Sequence, residues 1–163
     1  MERFYTISAF TENTPGVLHR LVTVLTRRKV NIESLTVSET EQTGISRFTI
    51  LVKTTPEMIK KILKPINRII EVLDIFVSEN FQLLFREIAF IRVCTEDPAK
   101  RPEIEELAHR YNASIVHAES NYLIIEKTGS EEEISSLYLL LEPYGMKEFV
   151  RSGRIALEKS ENQ

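Results

Sequence analysis

The stretch Asn13-Thr14-Pro15-Gly16-Val17-Leu18 decides how the rest of the chain is read. Before it, an apolar run from Phe4 to Phe10 predicts a strand. After it, Val17, Leu18, Leu21, Val22 and Leu25 recur at helical spacing. The junction is therefore a helix start, with Thr14 expected as N-cap, Pro15 at the first helical position and Gly16 following without a side chain. The first N–H groups of a helix have no partner inside it and present the positive end of the dipole, which suits a carboxylate. Gly16 lets a small ligand approach the backbone. The same residues also describe a helix that is merely well capped, and on their own they leave both readings open.

Working outward, the first strand sets Tyr5, Ile7 and Ala9 against Phe4, Thr6, Ser8 and Phe10. Apolar residues fall on both faces, which places the strand centrally in a sheet. The helix closes on Arg27, Arg28 and Lys29, cations that favour its negative end. Asn31 leads a second strand through Ile32, Leu35 and Val37. Glu39 to Gly44 reads as a hairpin loop and Ser46 to Lys53 as a third strand. Thr55-Pro56-Glu57 starts a second helix with Met58, Ile59, Ile62, Leu63 and Ile66 on one face, expected to end or kink at Pro65. Ile69 to Glu79 is a fourth strand. The order βαββαβ predicts a ferredoxin-like sandwich, each crossover expected to link parallel neighbours. One sheet face carries both helices and the other is bare, so it must meet solvent or a partner.

The second half repeats the order. Glu87 to Thr95, Ser114 to Ala118, Tyr122 to Lys127 and Met146 to Val150 read as strands. Helices open at Pro102-Glu103-Ile104 and, after Thr128-Gly129-Ser130, at the acidic turn Glu131-Glu132-Glu133. The polar tail from Glu158 is expected to fray. The fold class is α+β, two ferredoxin-like (βαββαβ) units, with boundaries at 1–80 and 81–163. Only the first unit has an anion-ready loop; the second has Thr95-Glu96-Asp97-Pro98 in its place. A division of labour follows.

The 163 residues carry 42% hydrophobic and 28% charged residues and a formal net charge of −3, an ordinary balance that points to neither nucleic acid nor a membrane surface. Cys94 is the single cysteine, so no internal disulfide forms, in keeping with a reducing cytoplasm. The opening Met1-Glu2-Arg3 lacks the layout of a signal peptide, and no apolar run reaches membrane-spanning length. The glycines form no phosphate loop, no G-x-S-x-G occurs, and no catalytic residue is expected. Cys94, His109 and His117 show no ligand spacing, so no metal is expected. RNA-recognition modules share the βαββαβ order, but they need stacking aromatics on two central strands, and the third strand offers only Phe48.

Asn13-x-Pro15-Gly16-Val17-Leu18, followed by Arg28-x-Val30-Asn31-Ile32-Glu33-Ser34-Leu35-Thr36-Val37, closely resembles the start of an ACT domain. More narrowly, it is similar to the small regulatory subunits of acetolactate synthase (acetohydroxyacid synthase). The resemblance continues to the C-terminal domain of that family through Glu126-x-Thr128-Gly129 and Arg151-Ser152-Gly153. It implies a non-catalytic cytoplasmic subunit of branched-chain amino-acid biosynthesis that pairs as a homodimer through its first domains. Such a subunit binds and activates a catalytic subunit and transmits feedback inhibition by valine. Thiamine diphosphate, Mg and FAD are expected in the catalytic subunit and no cofactor in this chain. The implied effector site comprises Asn13, Gly16, Val17, Leu18, Asn31 and Ile32. The N–H groups around Gly16 take the carboxylate, the two asparagine amides offer donors and acceptors, and Val17, Leu18, Ile32 and Leu35 line the side-chain pocket. The alternatives are a free-standing ACT-type amino-acid sensor acting on another protein, or a metal-responsive ferredoxin-like regulator.

Overall fold

The computed structural model describes residues 1–160, and all statements below concern those residues. Contacts divide the chain into two compact units. The first is Met1–Leu84 joined by the residues from Arg154 on, and the second is Phe85–Gly153.

The first unit runs β1 (Arg3–Glu12), α1 (Val17–Arg27), β2 (Ile32–Glu39), β3 (Ile45–Thr54), α2 (Pro56–Ile66) and β4 (Val72–Glu79). Its sheet order is β2-β3-β1-β4, with every neighbouring pair antiparallel. The crossovers therefore do not join adjacent parallel strands: β3 lies between β1 and β2, and β1 between β3 and β4. Period-2 alternation puts Tyr5, Ile7 and Ala9 of β1 and Phe48, Ile50 and Val52 of β3 on the helix-covered face. There they pack with Val17, Leu21 and Leu25 of α1 and with Ile59, Ile62 and Ile66 of α2. Phe48 thus lies in the core, away from the open face that an RNA-binding module would use. Thr55 caps α2, its hydroxyl accepting from the Met58 N–H at 3.3 Å. Pro65 is carried inside the last turn, and the helix ends one residue later at Ile66.

The second unit contains most of β5 (Leu83–Cys94), then α3 (Arg101–Arg110), β6 (Ser114–Ala118), β7 (Tyr122–Gly129), α4 (Glu131–Leu141) and β8 (Met146–Arg151). The sheet order β6-β7-β5-β8 repeats that of the first unit. Ile91, Val93, Leu123 and Ile125 meet Ile104, Ala108, Leu137 and Leu141 in a separate core. α4 begins with a reciprocal cap. The Ser130 hydroxyl accepts from the Glu133 N–H at 3.2 Å, and the Glu133 carboxylate accepts from the Ser130 N–H at 2.6 Å. That backbone donor holds the Glu133 carboxyl below its ordinary value of 4.5. A depressed folded-state value stabilises above the unfolded one, and the gain is lost as pH falls through the folded value. Ser130→Ala is expected to cost about 1 kcal/mol. In thermal melts followed by circular dichroism, Glu133→Ala, which removes the carboxylate that accepts from the Ser130 N–H, should show a deficit against the wild type that shrinks as the pH falls through the depressed folded value, below 4.5.

The segment from Arg154, expected within the second unit, belongs to the first, while most of the tail expected to fray from Glu158 lies outside the described residues. β5 starts at Leu83, and a ninth strand, β9 (Ile155–Glu158), returns to the first unit, pairing β5 off the main sheet path. Residues 154–158 lie on the face of the first sheet that the helices leave bare. The Arg154 guanidinium donates to Asn80 Oδ1 at 2.8 Å and to the Thr6 hydroxyl at 3.4 Å. Thr36 of β2 donates to the Arg154 carbonyl at 2.9 Å, and Arg47 of β3 to the Ala156 carbonyl at 2.6 Å. Ser78 of β4 donates to the Glu158 carboxylate at 2.7 Å. The Lys159 N–H donates to the Gln82 carbonyl at 2.9 Å. One short segment thereby touches all four strands. It buries a polar face, since Thr6, Ser8, Thr49 and Ser78 are each at most 5% exposed.

Candidate effector site

The loop after β1 is pinned at its base. The Asn13 N–H donates to the Gly44 carbonyl in the β2–β3 turn at 2.8 Å, and the Glu12 N–H to the Glu71 carbonyl at 2.8 Å. The helix start then differs in detail from the sequence reading. Thr14 is not the N-cap and Pro15 is not in the helix. Gly16 is the cap residue, at φ 91°, and the helical residues begin at Val17. Only glycine holds that left-handed φ without a Cβ penalty, which is why the Thr-Pro signal yields to the glycine after it. No side chain caps the helix, and its first turn contains no acid. The N–H groups at the start of α1 thus have no side-chain cap and no acid within their own turn. Arg20, one turn on, forms an ion pair with Glu71 and adds a cation beside Gly16. Sequence reasoning passed over Arg20 and Gly44, although Arg20 lies four residues from Gly16, the spacing of one helical turn. The end can take a small carboxylate through backbone donors, without a side-chain anion to displace.

The expected residues divide into two groups. Asn13, Gly16 and Leu18 are exposed around this loop, Leu18 at 41%. Val17 belongs to the core at 2% exposure, so its side chain is not available as a pocket wall. Asn31 and Ile32 lie elsewhere. α1 ends through Lys29 at φ 55°, with the Val30 N–H donating to the Leu25 carbonyl at 3.1 Å, and the chain enters β2 directly. Asn31 therefore sits beyond the C-terminal end of α1, while Asn13 and Gly16 sit at its N-terminal end. The 11 residues of α1 span about 16 Å at 1.5 Å per residue. The register agrees, since Glu12 of β1 faces Ile45 at one end of β3 while Ile32 faces Val52 near the other. A single amino acid cannot touch Gly16 and Asn31 of the same chain. Within the chain, the Asn31 amide donates to the Glu33 carboxylate at 3.2 Å, and both residues are exposed, Asn31 just before β2 and Glu33 on it, an outer strand of the sheet.

The rival chemistries find no centre here. Among the described residues, no group of three His, Cys, Asp or Glu gathers as a metal site. Cys94 ends β5, His109 is exposed in the last turn of α3, and His117 on β6 contacts Tyr122 and Glu119, each at 3.3 Å. No helix among the described residues is long and apolar enough to cross a membrane.

A four-stranded antiparallel sheet in the order 2-3-1-4, two helices on one face and an uncapped glycine helix start after β1 define an ACT domain, here followed by a second unit of like topology. Residues 7–74 match the family described as AHAS small subunit-like ACT domain, and residues 86–160 match the family described as small subunit of acetolactate synthase. A probable acetolactate synthase small subunit from Archaeoglobus fulgidus is 39% identical, over 94% of this chain and 95% of its own length. The acetolactate synthase small subunit of Bacillus subtilis is 35% identical over 100% and 94%. The crystal structure of the acetolactate synthase small subunit from Thermotoga maritima superposes with a TM-score of 0.88 at 29% identity, covering 98% of this chain and 99% of that one. The chain belongs to the acetolactate synthase small-subunit family.

Proposed function

We propose that this chain is the non-catalytic regulatory subunit of a cytoplasmic acetolactate synthase. It activates a catalytic subunit, which holds the thiamine diphosphate, Mg and FAD, and it confers feedback inhibition by valine. The observation that carries the effector reading is the start of α1, where Gly16 at φ 91° leaves the first N–H groups of the helix without a side-chain cap and the first turn holds no acid. A zwitterionic amino acid suits that end, its carboxylate on the N–H groups and its ammonium on the Asn13 amide oxygen. The separation of Asn13 and Asn31 along α1 supports a site completed by two copies. In a two-fold dimer each effector takes Asn13, Gly16 and Leu18 from one protomer and Asn31 and Ile32 from the other. β2, an edge strand with Val37 at 46% exposure, is suited to pairing such copies. The pocket wall is then Leu18 with Ile32 and Leu35. A wall of that kind separates aliphatic side chains differing by one methylene by only about 1–3 kcal/mol, so leucine and isoleucine are expected to bind the same site as well.

Mixing the purified chain with the catalytic subunit tests the reading through acetolactate formation from pyruvate. The expected result is a rise in activity on adding the chain, a fall on adding valine only when the chain is present, and no turnover by the chain alone. Activity indifferent to the chain would turn the assignment toward an amino-acid sensor for another protein. Turnover by the chain alone would end it.

A further inference from the structure

The two helices of the first unit cover one sheet face, and their own outer side carries charge of a single sign. Residues 16–29 and 55–68, the helices with their ends, hold eight lysines and arginines against Glu57 alone. The remainder of the chain holds 13 against 23 Asp and Glu, so an acidic protein displays one basic layer. All eight cations except Arg28 are exposed. On α2, Lys60, Lys61 and Lys64 recur at the spacing that gathers side chains on one face, opposite the buried Ile59, Ile62 and Ile66. Arg68 follows just past the helix end. Among the described residues, only Arg20 of the eight forms an ion pair, with Glu71.

Solvation alone does not account for this pattern. Like cations one turn apart on a helix repel, whereas a face that only meets water mixes both signs. The second unit has that ordinary arrangement. On α3, Arg101 pairs with Glu105 at 3.1 Å and Arg110 with Glu106 at 2.6 Å, each pair one turn apart. Two residues after Arg68, Ile70 stands 91% exposed, an apolar point at the edge of the charged layer that water does not favour.

We propose that the helix layer of the first unit is the docking surface for the catalytic subunit, where it meets an acidic patch of that subunit. The inference rests on the regulatory reading above and adds to it the surface and its recognition chemistry. Charge complementarity selects the partner. A second copy stacked on the layer across a two-fold axis presents the same sign and is repelled. A nucleic acid or an anionic membrane extends past a layer two helices wide and meets the surplus of acids on the rest of the chain. A protein surface confines its acids to the matching area. α1 begins beside Gly16 and ends at Arg27, so one helix bears both the effector's N–H groups and part of the docking charge.

Acetolactate formation, with the full chain titrated against a fixed amount of catalytic subunit, tests the surface. Lys60→Glu combined with Lys64→Glu is expected to raise the chain concentration for half-maximal activation by about tenfold or more, with the same activity at saturation. Valine binding by calorimetry should be unchanged, since neither lysine belongs to the effector site. Lys100→Glu combined with Lys147→Glu makes the same change in net charge at exposed positions of the second unit and should stay within about twofold of the wild type. Added salt should weaken activation by the wild type, and the α2 variant should lose most of that dependence. Should the α2 variant fail to fold by circular dichroism, Lys60→Gln combined with Lys64→Gln takes its place, with an expected shift of about threefold. A wild type that does not activate removes the regulatory reading and this surface with it. A wild type that activates, with the folded α2 variant within about twofold of it, overturns the surface alone. A duplex oligonucleotide or a phosphatidylserine vesicle that binds the wild type and not the α2 variant, while activation is unchanged, would overturn it in favour of a polyanion.

Discussion

Gly16→Asp is expected to abolish most of the valine response while leaving activation of the catalytic subunit largely intact. Position 16 is left-handed, so any side chain is strained there, but Asp and Asn enter that region more readily than other residues. A Cβ would meet nothing nearer than the Arg20 guanidinium at 3.9 Å, so the cost to the fold is backbone strain of about 1 kcal/mol. The introduced carboxylate would stand where the effector carboxylate must sit. Removing one partner of a desolvated charge contact costs about 2–5 kcal/mol, and opposing charge costs at least as much. At about 1.4 kcal/mol per tenfold, inhibition weakens by more than an order of magnitude. Gly16→Asn brings the same strain without the charge and should fall between wild type and Gly16→Asp. Asn31→Ala should act in the same direction as Gly16→Asp but more weakly. Calorimetric titration with valine beside the inhibition curve checks both. The two-copy site adds a sharper test. Mixing Gly16→Asp and Asn31→Ala chains gives hybrid dimers in which one of the two sites has both residues intact, so valine binding should return in part. Undiminished valine affinity in Gly16→Asp would move the site elsewhere, and no recovery on mixing would mean that Gly16 and Asn31 do not serve one ligand.

Leu21→Ala should be the most damaging single truncation for the unit that bears the effector loop. Leu21 is fully buried on α1, within the cluster formed by Tyr5, Ile7, Ile50 and their neighbours. Leu→Ala at such sites costs about 2–5 kcal/mol, the lost transfer energy plus the cavity left behind. For a unit of this size that lowers the melting temperature by about 10 °C or more. The second unit has its own core, so the damage should be local. Scanning calorimetry combined with hydrogen exchange checks this: β1 and β3 should lose protection while β7 keeps it. A uniform loss across both units would show that they unfold together.

Much of the fold is legible in local pattern. Alternation in β1 assigns Tyr5, Ile7 and Ala9 to the core, Thr55 announces α2, and the acidic turn after Ser130 announces α4. In each case the local preference and the tertiary contact agree. The failures have physical causes. Residues 154–158 escape a reading of the sequence because the segment inverts the usual rule, placing Arg154 and Ala156 inward and Ile155 and Leu157 outward. No periodicity reveals a strand that buries its polar side. Thr6 and Ser8 held the complementary clue, a polar stripe in the middle of a central strand. Val17 falls in both core and pocket on the sequence because helical spacing gives a face and not what covers it. The gap between Asn13 and Asn31 follows from the sequence once α1 is given its length, but a motif read as adjacent letters hides it.

The late arrival of Arg154 bears on how the chain is made. Its partner Thr6 precedes it by 148 positions, so during synthesis β1 to β4 and both helices emerge long before their cover exists. Domains generally fold as units in the order they are made, and a half-finished unit with a large apolar face is prone to aggregate. Here the waiting surface is lined with hydroxyls at Thr6, Ser8, Thr49 and Ser78, which water satisfies. The nascent first unit can fold against its helices and stay soluble with its other side wet, and a segment made 148 positions after Thr6 completes it.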